Sequence, residues 1–462
     1  MPRLMSAAGA CLAATLLLAA SGQAADAPAQ RRPAVQPPTV DLRPIKHIVV
    51  VYLENHSFDN LFGDFPGANG RSRAGRHALQ VDKDGKPYRQ LPPVVEPGKP
   101  PKVDPRFPEY LPNAPFLIDR YVGMDAKFPS PVHAFYDQQE QIDGGKMDKF
   151  VAYTDVGGLV MGYEDGSRLE LWKYAEEFTL ADNFYHAAFG GSFLNHFWTI
   201  CACTPRFENA PEALRAVVEP DGKLVKNGKV TPDGYAVNTL QSVFQPHDPK
   251  VKPENLLPPQ TARTIGDELS AKNVSWAWYS GGWNDALAGT PTGDFQYHHQ
   301  PFAYFARYGD GTEERKAHLK DETELIAAID QGTLPSVVFW KPVGELNEHP
   351  GYADTLSGDR HMAEVIEKIR HSPLWRGTVI IVTYDENGGL WDHVSPPRVD
   401  RWGPGARVPT VIISPFAKRH YIDHTFYDTT AILRLIEARF GLQPLGARDR
   451  IAAGLWHALD LH

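Results

Sequence analysis

Residues 378–397 read TVIIVTYDENGGLWDHVSPP, a run of β-branched and aromatic residues followed at once by acids, glycines and a histidine. The run from Thr378 to Tyr384 predicts a strand buried on both faces, as in a parallel sheet. Open α/β sheets bind ligands beyond the carboxyl ends of their strands, so function is expected where this run ends. The polar residues found there are Asp385, Glu386, Asn387, Asp392 and His393. They suit a divalent cation, and a polar turn that only closes the strand is the alternative.

A second buried strand is predicted at residues 45–53, IKHIVVVYL. It runs into Glu54 and Asn55, so oxygen ligands again follow the carboxyl end of a strand. Taken alone, Glu54 would be interpreted as a solvated strand end. Because Asp385 and Glu386 occupy the same place after another strand, we interpret Glu54 as a metal ligand instead.

Two glycines and a serine precede an apolar helical segment in GGSFLNHFWTIC, residues 190–201. Backbone N–H groups at such a helix start, together with the positive end of the helix dipole, hold an oxyanion or a phosphate. Ser192 is placed to attack whatever those groups hold. Serine is also a preferred helix N-cap, and both roles remain open for it.

Helices and strands alternate along the rest of the chain. Helices are predicted at residues 168–178, 261–272, 321–331, 360–371 and 428–440, and strands at 178–184, 274–279, 334–340 and 407–413. This alternation predicts an α/β fold with a mainly parallel sheet between helices. Two insertions interrupt the pattern. Residues 62–125 are a Pro- and Gly-rich surface loop of the kind that shapes a substrate entrance, and residues 210–234 are a polar hairpin.

The length of 462 residues fits one large α/β domain with insertions. Residues 1–24 combine an early arginine, an apolar Ala- and Leu-rich centre and small residues at the end, which predicts a signal peptide. Residues 25–44 are rich in Pro, Gln and Ala and are interpreted as a flexible tether, and residues 45–462 as a single catalytic domain. The protein is therefore expected to be exported, periplasmic or secreted, without a stable membrane anchor.

Net charge limits the classes of binding partner, and the cysteine content bears on disulfide formation. A net charge of −9 without a basic block argues against nucleic acid and against an electrostatic membrane anchor. Beyond the predicted signal peptide the cysteines are Cys201 and Cys203. A bridge across one intervening residue would be strained, so two free buried thiols are expected rather than a local disulfide.

A hard cation beside a serine hydroxyl suits phosphoryl transfer, which needs charge neutralisation, a placed nucleophile and a proton for the leaving group. A histidine protonated in mild acid could clamp the phosphate or supply that proton. Position alone leaves both structural and functional roles open for His133, His298, His299 and His349. An acyl-enzyme hydrolase fits less well, because Ser192 does not lie in a GxSxG elbow.

Several motifs in this order resemble a known family. They are ENHSFDNLFG (54–63), AFGGSFLNHFWTICACTP (188–205), EHP (348–350), and YDENGGLWDHVSPP (384–397) followed by GPGARVPTVIISPFAK (403–418). The chain resembles, from about Lys46 to about Gly441, the bacterial phosphoesterase family that joins non-specific phospholipases C with AcpA-type acid phosphatases. The resemblance implies an alkaline-phosphatase-like α/β fold and a covalent phosphoenzyme.

The resemblance also assigns roles to residues. Ser192 would be the nucleophile. One divalent metal ion, with Ca, Mg and Mn all suited to oxygen ligands, would be bound by Glu54, Asn55, Ser192, Asp385 and Glu386. The phosphate site would be lined by His133, His298, His299 and His349. We expect Asp392, His393 and Asn195 to lie behind the metal-binding and phosphate-binding residues and to support them.

The branch of the family is inferred from local sequence. The acid-phosphatase-like members carry a serine in GGSFLNH, as here, whereas the haemolytic phospholipases typically carry a threonine in a different local sequence. This predicts a broad-specificity acid phosphatase acting on small phosphate esters through a phosphoserine. The alternatives are a phospholipase C that recognises a phospholipid headgroup and cleaves phosphatidylcholine-type diesters, and a binding protein that keeps the fold without catalysis.

Overall fold

β-branched and aromatic residues build the central sheet of the computed structural model, which describes residues 40–220 and 224–461. The predicted signal peptide and all but the last five residues of the predicted tether, 40–44, lie outside these described residues. Among the helices that the structure describes, none is both long enough and apolar enough to cross a bilayer.

Eight strands make up the main sheet in the described chain. They are β1 His47–Leu53, β2 Thr179–Ala181, β3 Trp276–Ser280, β4 Leu319–Asp321, β5 Val337–Lys341, β6 Thr378–Tyr384, β7 Thr410–Ile413 and β8 Tyr421–Asp423. Their order across the sheet is β4-β3-β5-β1-β6-β7-β2-β8. Neighbouring strands are parallel, except that β7 runs antiparallel to both β6 and β2. The predicted α/β fold with a mainly parallel sheet is confirmed.

Helices and two-stranded pairs accompany the main sheet in the described chain. The helices are α1 Phe58–Leu61, α2 Phe135–Ile142, α3 Glu170–Glu177, α4 Ser192–Cys201, α5 Ile265–Ala271, α6 Trp283–Leu287, α7 Glu313–His318, α8 Glu322–Asp330, α9 Thr355–Arg370, α10 Thr430–Phe440 and α11 Arg448–Ile451. Two-stranded pairs are Phe184–Tyr185 with Tyr427–Asp428, Gln90–Leu91 with Leu111–Pro112, Val95–Glu96 with Lys102–Val103, Phe116–Leu117 with Gly162–Tyr163, and Val217–Val218 with Leu224–Lys226.

The register of the two central strands sets the position of the site. β1 and β6 pair in parallel from His47 opposite Thr378 to Leu53 opposite Tyr384, and nearly every residue of both strands is buried. The next residues, Glu54 and Asp385, therefore leave the sheet side by side. The backbone N–H of Asp385 donates to the carbonyl of Leu53 at 3.1 Å, which continues the pairing to the edge.

Both predicted insertions pack against the domain. Apolar residues of the first insertion, among them Leu91 and Phe107, form a second buried cluster with Phe150 and Trp391. The second insertion contains the predicted hairpin, whose strands Val217–Val218 and Leu224–Lys226 pair antiparallel. Its turn, residues 221–223, lies outside the described residues.

Some elements differ from the sequence predictions. One helix begins earlier because of its cap, and two short strands were missed. The helix predicted at residues 360–371 begins at Thr355, because the Asp354 carboxylate accepts a hydrogen bond from the N–H of Ser357 at 2.8 Å and caps the helix. β4 and β8 were not predicted. Each has three residues, too few to show the alternation or apolar run that marks a strand.

The expectation of two free thiols is wrong. Cys201 and Cys203 form a disulfide, with their Cα atoms 5.1 Å apart. Cys201 is the last residue of α4, and Ala202 takes a left-handed conformation with φ 47°. This residue reverses the chain at the helix end and brings the two cysteines within bonding distance.

Candidate active site

Glu54 lies at the centre of a buried group of charged side chains beyond β1. Its Oε1 is 2.6 Å from Nε2 of His299 and 2.7 Å from Nζ of Lys341. Its Oε2 accepts a hydrogen bond from the Tyr352 hydroxyl at 3.3 Å and lies 3.7 Å from Nε2 of His349. Burial opposes ionisation, but His299 and Lys341 outweigh it and hold the pKa of Glu54 well below its usual range. The carboxylate is therefore ionised.

Asp385 and Glu386 contribute two further buried carboxylates. Oδ1 of Asp385 accepts the N–H of Glu386 at 2.9 Å, and Oε2 of Glu386 accepts the N–H of Gly388 at 2.6 Å. Their other oxygens, Oδ2 and Oε1 respectively, accept no hydrogen bond within the described ranges. Burial raises the pKa of both carboxyl groups well above the usual range, and the charge of Glu54 raises it further. Nζ of Lys341 lies 3.9 Å from Oδ2 of Asp385, and a bound cation would give these oxygens a closer positive partner.

Ser192 is the first residue of α4, and its hydroxyl lies among these carboxylates. Its Oγ donates to Oδ1 of Asn55 at 3.4 Å. The nearby Ser192 side chain lowers the pKa of Asp385 and Glu386 and so partly offsets the effect of burial. Gly191 takes the N-cap position, with no side-chain hydrogen bond to the helix. Ser192 is therefore not the N-cap, and its hydroxyl is available to the site.

Asn195 shapes the loop in front of α4. Its amide nitrogen donates to the carbonyls of Ala188 at 3.0 Å, Gly190 at 3.3 Å and Gly191 at 3.2 Å. Its oxygen accepts the N–H of Ala188 at 2.9 Å. Gly190 has φ +83°, and a Cβ there would lie 2.4 Å from the backbone nitrogen of Phe135. These contacts hold the loop in front of α4, and the predicted support of the site residues by Asn195 stays a prediction.

The predicted histidines surround the same carboxylates. Nδ1 of His133 donates to the carbonyl of Pro131 at 2.7 Å, and its Nε2 lies 3.8 Å from Oε1 of Glu386. The His349 ring is 5.6 Å from that of His133, and the His298 ring is 4.7 Å from that of His299.

Burial opposes protonation of these rings, whereas the negative charge of Glu54 favours it. Burial lowers the pKa of His133, His298 and His299, and it lowers the pKa of His349 to about 3. The sequence interpretation assumed a histidine protonated in mild acid. A phosphate anion beside these rings would raise their pKa again, because opposite charge stabilises the protonated form.

Three residues of the site were not singled out from the sequence. Lys341 ends β5 fully buried, and the signal that identified Glu54, a charge closing an apolar strand, would have found it. His196 lies one helical turn after Ser192, donates from Nδ1 to its carbonyl at 2.7 Å, and is 3.7 Å from Oδ2 of Asp385. The spacing of four residues would have revealed it. Tyr352 carried no sequence signal.

Asp392 and His393 belong to a separate buried cluster. Arg407 lies 2.9 Å from Oδ1 of Asp392 through Nε, and 3.2 Å from Oδ1 of Asp59 through Nη2. Nδ1 of His393 is 2.6 Å from Oδ2 of Asp59. Within the described chain these side chains bond to one another and not to the five predicted ligands. Arg407 supplies the positive charge here, and the predicted support of the metal site stays a prediction.

His186 lies buried beneath the loop in front of α4. Its Nδ1 donates to the carbonyl of Ala188 at 2.8 Å, and its Nε2 accepts the N–H of Ala406 at 3.0 Å. The amide nitrogen of Gln138 is 2.9 Å from the same Nε2. Burial lowers the pKa of His186 from 6.5 to about 4. The ring is thus held as one neutral tautomer.

We expect the stability advantage of the wild type over His186→Gln to grow as the pH rises from about 4 to 6.5. In this range the unfolded chain binds a proton that the native ring does not, so acid favours unfolding of the wild type, and glutamine does not titrate. The difference in unfolding free energy should change by up to about 1.4 kcal/mol per pH unit. Urea unfolding of both proteins across this range measures it, and a difference independent of pH would contradict the proposed neutral ring.

The donor set fits a divalent cation. Buried carboxylates and the Asn55 oxygen are hard ligands, and the orphaned oxygens described above accept no hydrogen bond from the described residues. Three groups of described residues hold ligand atoms within 4.8 Å of one another: Glu54 with His298 and His299, Glu54 with His196 and Asp385, and Asp59 with Asp392 and His393. Arg407 already lies against the third group. Imidazole ligands extend the choice beyond Ca, Mg and Mn to other transition metals.

A family model described as Phosphoesterase family matches residues 45–443. The chain belongs to the phosphoesterase family. The resemblance read from the motifs is thereby confirmed, and phosphoester hydrolysis is the reaction class that this membership supports.

Relatives and solved structures add more distant similarities. Phospholipase C B of Mycobacterium tuberculosis is 25% identical over 441 residues, which cover 87% of this chain and 74% of that protein. Non-hemolytic phospholipase C of Pseudomonas aeruginosa is 24% identical over 467 residues, covering 93% of this chain and 58% of that protein. A protein of the alkaline phosphatase superfamily from Vibrio parahaemolyticus superposes with a TM-score of 0.34 at 13% identity, covering 63% of this chain and 65% of that one.

Proposed function

We propose that this phosphoesterase hydrolyses phosphate monoesters as a broad-specificity acid phosphatase, with Ser192 as nucleophile and a phosphoserine intermediate. The observation that carries the proposal is the buried Ser192 hydroxyl at the start of α4, 3.4 Å from Oδ1 of Asn55 and near enough to Asp385 and Glu386 to lower the pKa of both carboxyl groups. A nucleophile next to a helix N-terminus attacks a phosphate that the backbone N–H groups can hold.

In the proposed reaction Oγ of Ser192 attacks phosphorus and the ester oxygen leaves as an alcohol after taking up a proton. Water then cleaves the phosphoserine and releases inorganic phosphate. A divalent cation, when bound by Glu54, Asn55, Asp385, Glu386 and Ser192, would neutralise phosphate charge and lower the pKa of the serine hydroxyl.

His133 and His349 are proposed to move the protons. Each ring donates from Nδ1 to a backbone carbonyl, of Pro131 and Pro350 respectively, and keeps Nε2 free of that bond. A free Nε2 can accept the proton of an attacking hydroxyl and return it to the leaving oxygen. Lys341 balances the charge of Glu54, from which its Nζ is 2.7 Å away.

Phospholipase C activity is the second candidate. It is favoured by the names of the relatives from M. tuberculosis and P. aeruginosa, which match most of this chain. A phospholipid headgroup would then occupy the place of the monoester.

We also propose a domain organisation. Residues 45–462 form one catalytic domain, residues 1–24 direct export, and residues 25–44 tether the domain.

The two candidates differ in a direct measurement. We expect kcat/KM for p-nitrophenyl phosphate to exceed that for phosphatidylcholine vesicles by at least about tenfold, a barrier difference of about 1.4 kcal/mol. Both assays are run with Ca, Mg, Mn and Zn in turn, because the ligands do not select one ion. Faster release of diacylglycerol than of p-nitrophenol would replace the monoesterase proposal with phospholipase C. No turnover of either substrate with any of the ions would favour the non-catalytic alternative.

A further inference from the structure

A cavity of about 650 Å³ opens beside the start of α4. Part of its wall is formed by His133, Gly191 and Phe193, which flank the candidate nucleophile and phosphate site. Another part comes from the hairpin insertion and the segment that follows it, including Lys229 and Asn238. If the phosphate of an ester lies at the start of α4, the leaving group of that ester lies next to this cavity.

Lys229 is the cationic side chain of that wall. Its side chain is exposed, and it forms no hydrogen bond, ion pair or ring contact with residues 40–220 or 224–461. Neighbouring protein atoms lower the pKa of its ammonium group. The group has no counter-charge among the described residues, and a bound anion would supply one.

Lys226, on the same hairpin, provides a contrast. Its side chain is exposed as well, but its Nζ donates to the carbonyls of Glu212 and Ala213, each at 3.3 Å. Lys226 does not line the cavity. The absence of a partner is therefore particular to the lysine that faces the site and is not a general property of the hairpin.

The position of Lys229 is held by the backbone around it. The carbonyl of Lys229 accepts the N–H of Val237 at 2.9 Å. The side chain of Asn238 accepts the N–H of Phe135 at 3.0 Å and donates to the carbonyl of Gly228 at 2.7 Å. Asn238 thus joins the residue before Lys229 to the start of α2, two residues after His133. The cation and the phosphate site are parts of one connected wall.

We propose that Lys229 binds a second anionic group, a carboxylate or a phosphate, on the leaving group of the substrate. Esters that carry such a group in addition to the reacting phosphate, called doubly anionic esters below, are then preferred. The inference rests on the proposed function of Ser192. A charge-assisted hydrogen bond from an ammonium to either anion is stronger than one between neutral groups. The Asp155 carboxylate also lines the cavity, but it is engaged by the N–H of Val132 at 2.8 Å.

A quaternary ammonium leaving group fits this cavity less well. Such cations are recognised by cages of aromatic rings, and Phe193 is the only Phe, Tyr or Trp in the described lining. Lys229 would also repel a second positive charge. The observations therefore favour an anionic leaving group.

The test compares 4-carboxyphenyl phosphate with its methyl ester, in which the carboxylate charge is removed and the phosphate is kept. A third substrate, 1,4-phenylene bisphosphate, carries a phosphate as its second anionic group. For the wild type we expect kcat/KM for each doubly anionic substrate to exceed that for the methyl ester. In Lys229→Gln this ratio should fall about tenfold, the equivalent of one charge-assisted hydrogen bond of about 1.4 kcal/mol. Since each ratio is compared between proteins on the same substrates, differences in leaving-group reactivity cancel.

Two variants keep the result specific. Lys229→Arg should retain the ratio, because the cation is restored, and Lys226→Gln should leave it at the wild-type value. Melting temperatures show that all variants are folded. An unchanged ratio in Lys229→Gln, with both substrates turned over, would overturn the inference and leave the proposed function standing. A wild type that hydrolyses none of the substrates would contradict the proposed function and the inference together. If only the carboxylate or only the bisphosphate loses its advantage, that anion is the one Lys229 binds.

Discussion

Replacing Ser192 with alanine is expected to lower kcat for p-nitrophenyl phosphate by about 10⁴-fold or more, the size of effect seen when a covalent nucleophile is removed. The side chain is buried among Asn55, Asp385 and Glu386, and alanine keeps the helix start while removing the attacking oxygen. Steady-state assays measure the loss. Acid quenching with ³²P-labelled substrate adds a direct readout, because label should remain on the wild-type protein and not on the variant.

A matched control is available on the surface. Ser167 is exposed, donates from Oγ to Asp165 at 2.6 Å and lies outside the site, so Ser167→Ala should keep wild-type turnover and labelling. If Ser192→Ala retained more than about a tenth of the activity, less than 1.4 kcal/mol of transition-state stabilisation would depend on its hydroxyl. Ser192 would then not be the nucleophile.

Replacing Asp385 with asparagine is expected to change stability in opposite directions with and without metal. In chelator the variant should be more stable by about 1–2 kcal/mol, because it removes a charge that burial and Glu54 disfavour. The oxygen that accepts the N–H of Glu386 is kept in asparagine. With a divalent ion at about 100 times its Kd, the wild type should gain about 2.7 kcal/mol, and the variant much less. Activity should fall by about 100-fold or more.

Thermal and urea unfolding with EDTA and with each divalent ion measure this reversal, and calorimetric titration measures metal affinity. Glu437→Gln is the matched control, since burial raises the pKa of Glu437 to about 10 and it lies on α10, outside the ligand set. Its response to metal should equal that of the wild type. A variant Asp385→Asn that bound metal with unchanged affinity would remove Asp385 from the ligand set.

Much of the site could be predicted because its residues follow local patterns. β1 and β6 are apolar runs that end in acids, and this contrast places Glu54 and Asp385 at strand ends without any knowledge of contacts. Gly190, Gly191 and Ser192 mark the start of α4 by the same kind of local signal. Family membership then supports phosphoester hydrolysis as the reaction class.

Other features depend on pairings between distant segments. Lys341 reaches Glu54 because β5 lies next to β1 in the sheet, although almost three hundred residues separate them. Arg407 joins Asp59 and Asp392 in a cluster of its own, and the motif that contains Asp392 gave no sign of this partner. The disulfide depended on the left-handed conformation of Ala202, which nothing in the sequence around Cys201 specifies.

The amino-acid sequence by itself determined the α/β class, the positions of most strands and helices, and the chemistry of the side chains at the strand ends, because apolar runs and their polar endings are encoded residue by residue. Only the tertiary structure decided which of these ends meet, that Ser192 leaves the N-cap position to Gly191, and that Lys229 lines the cavity beside them. The reason is physical: sheet order and the packing of insertions arise from burial shared among distant segments, and no local stretch carries that information.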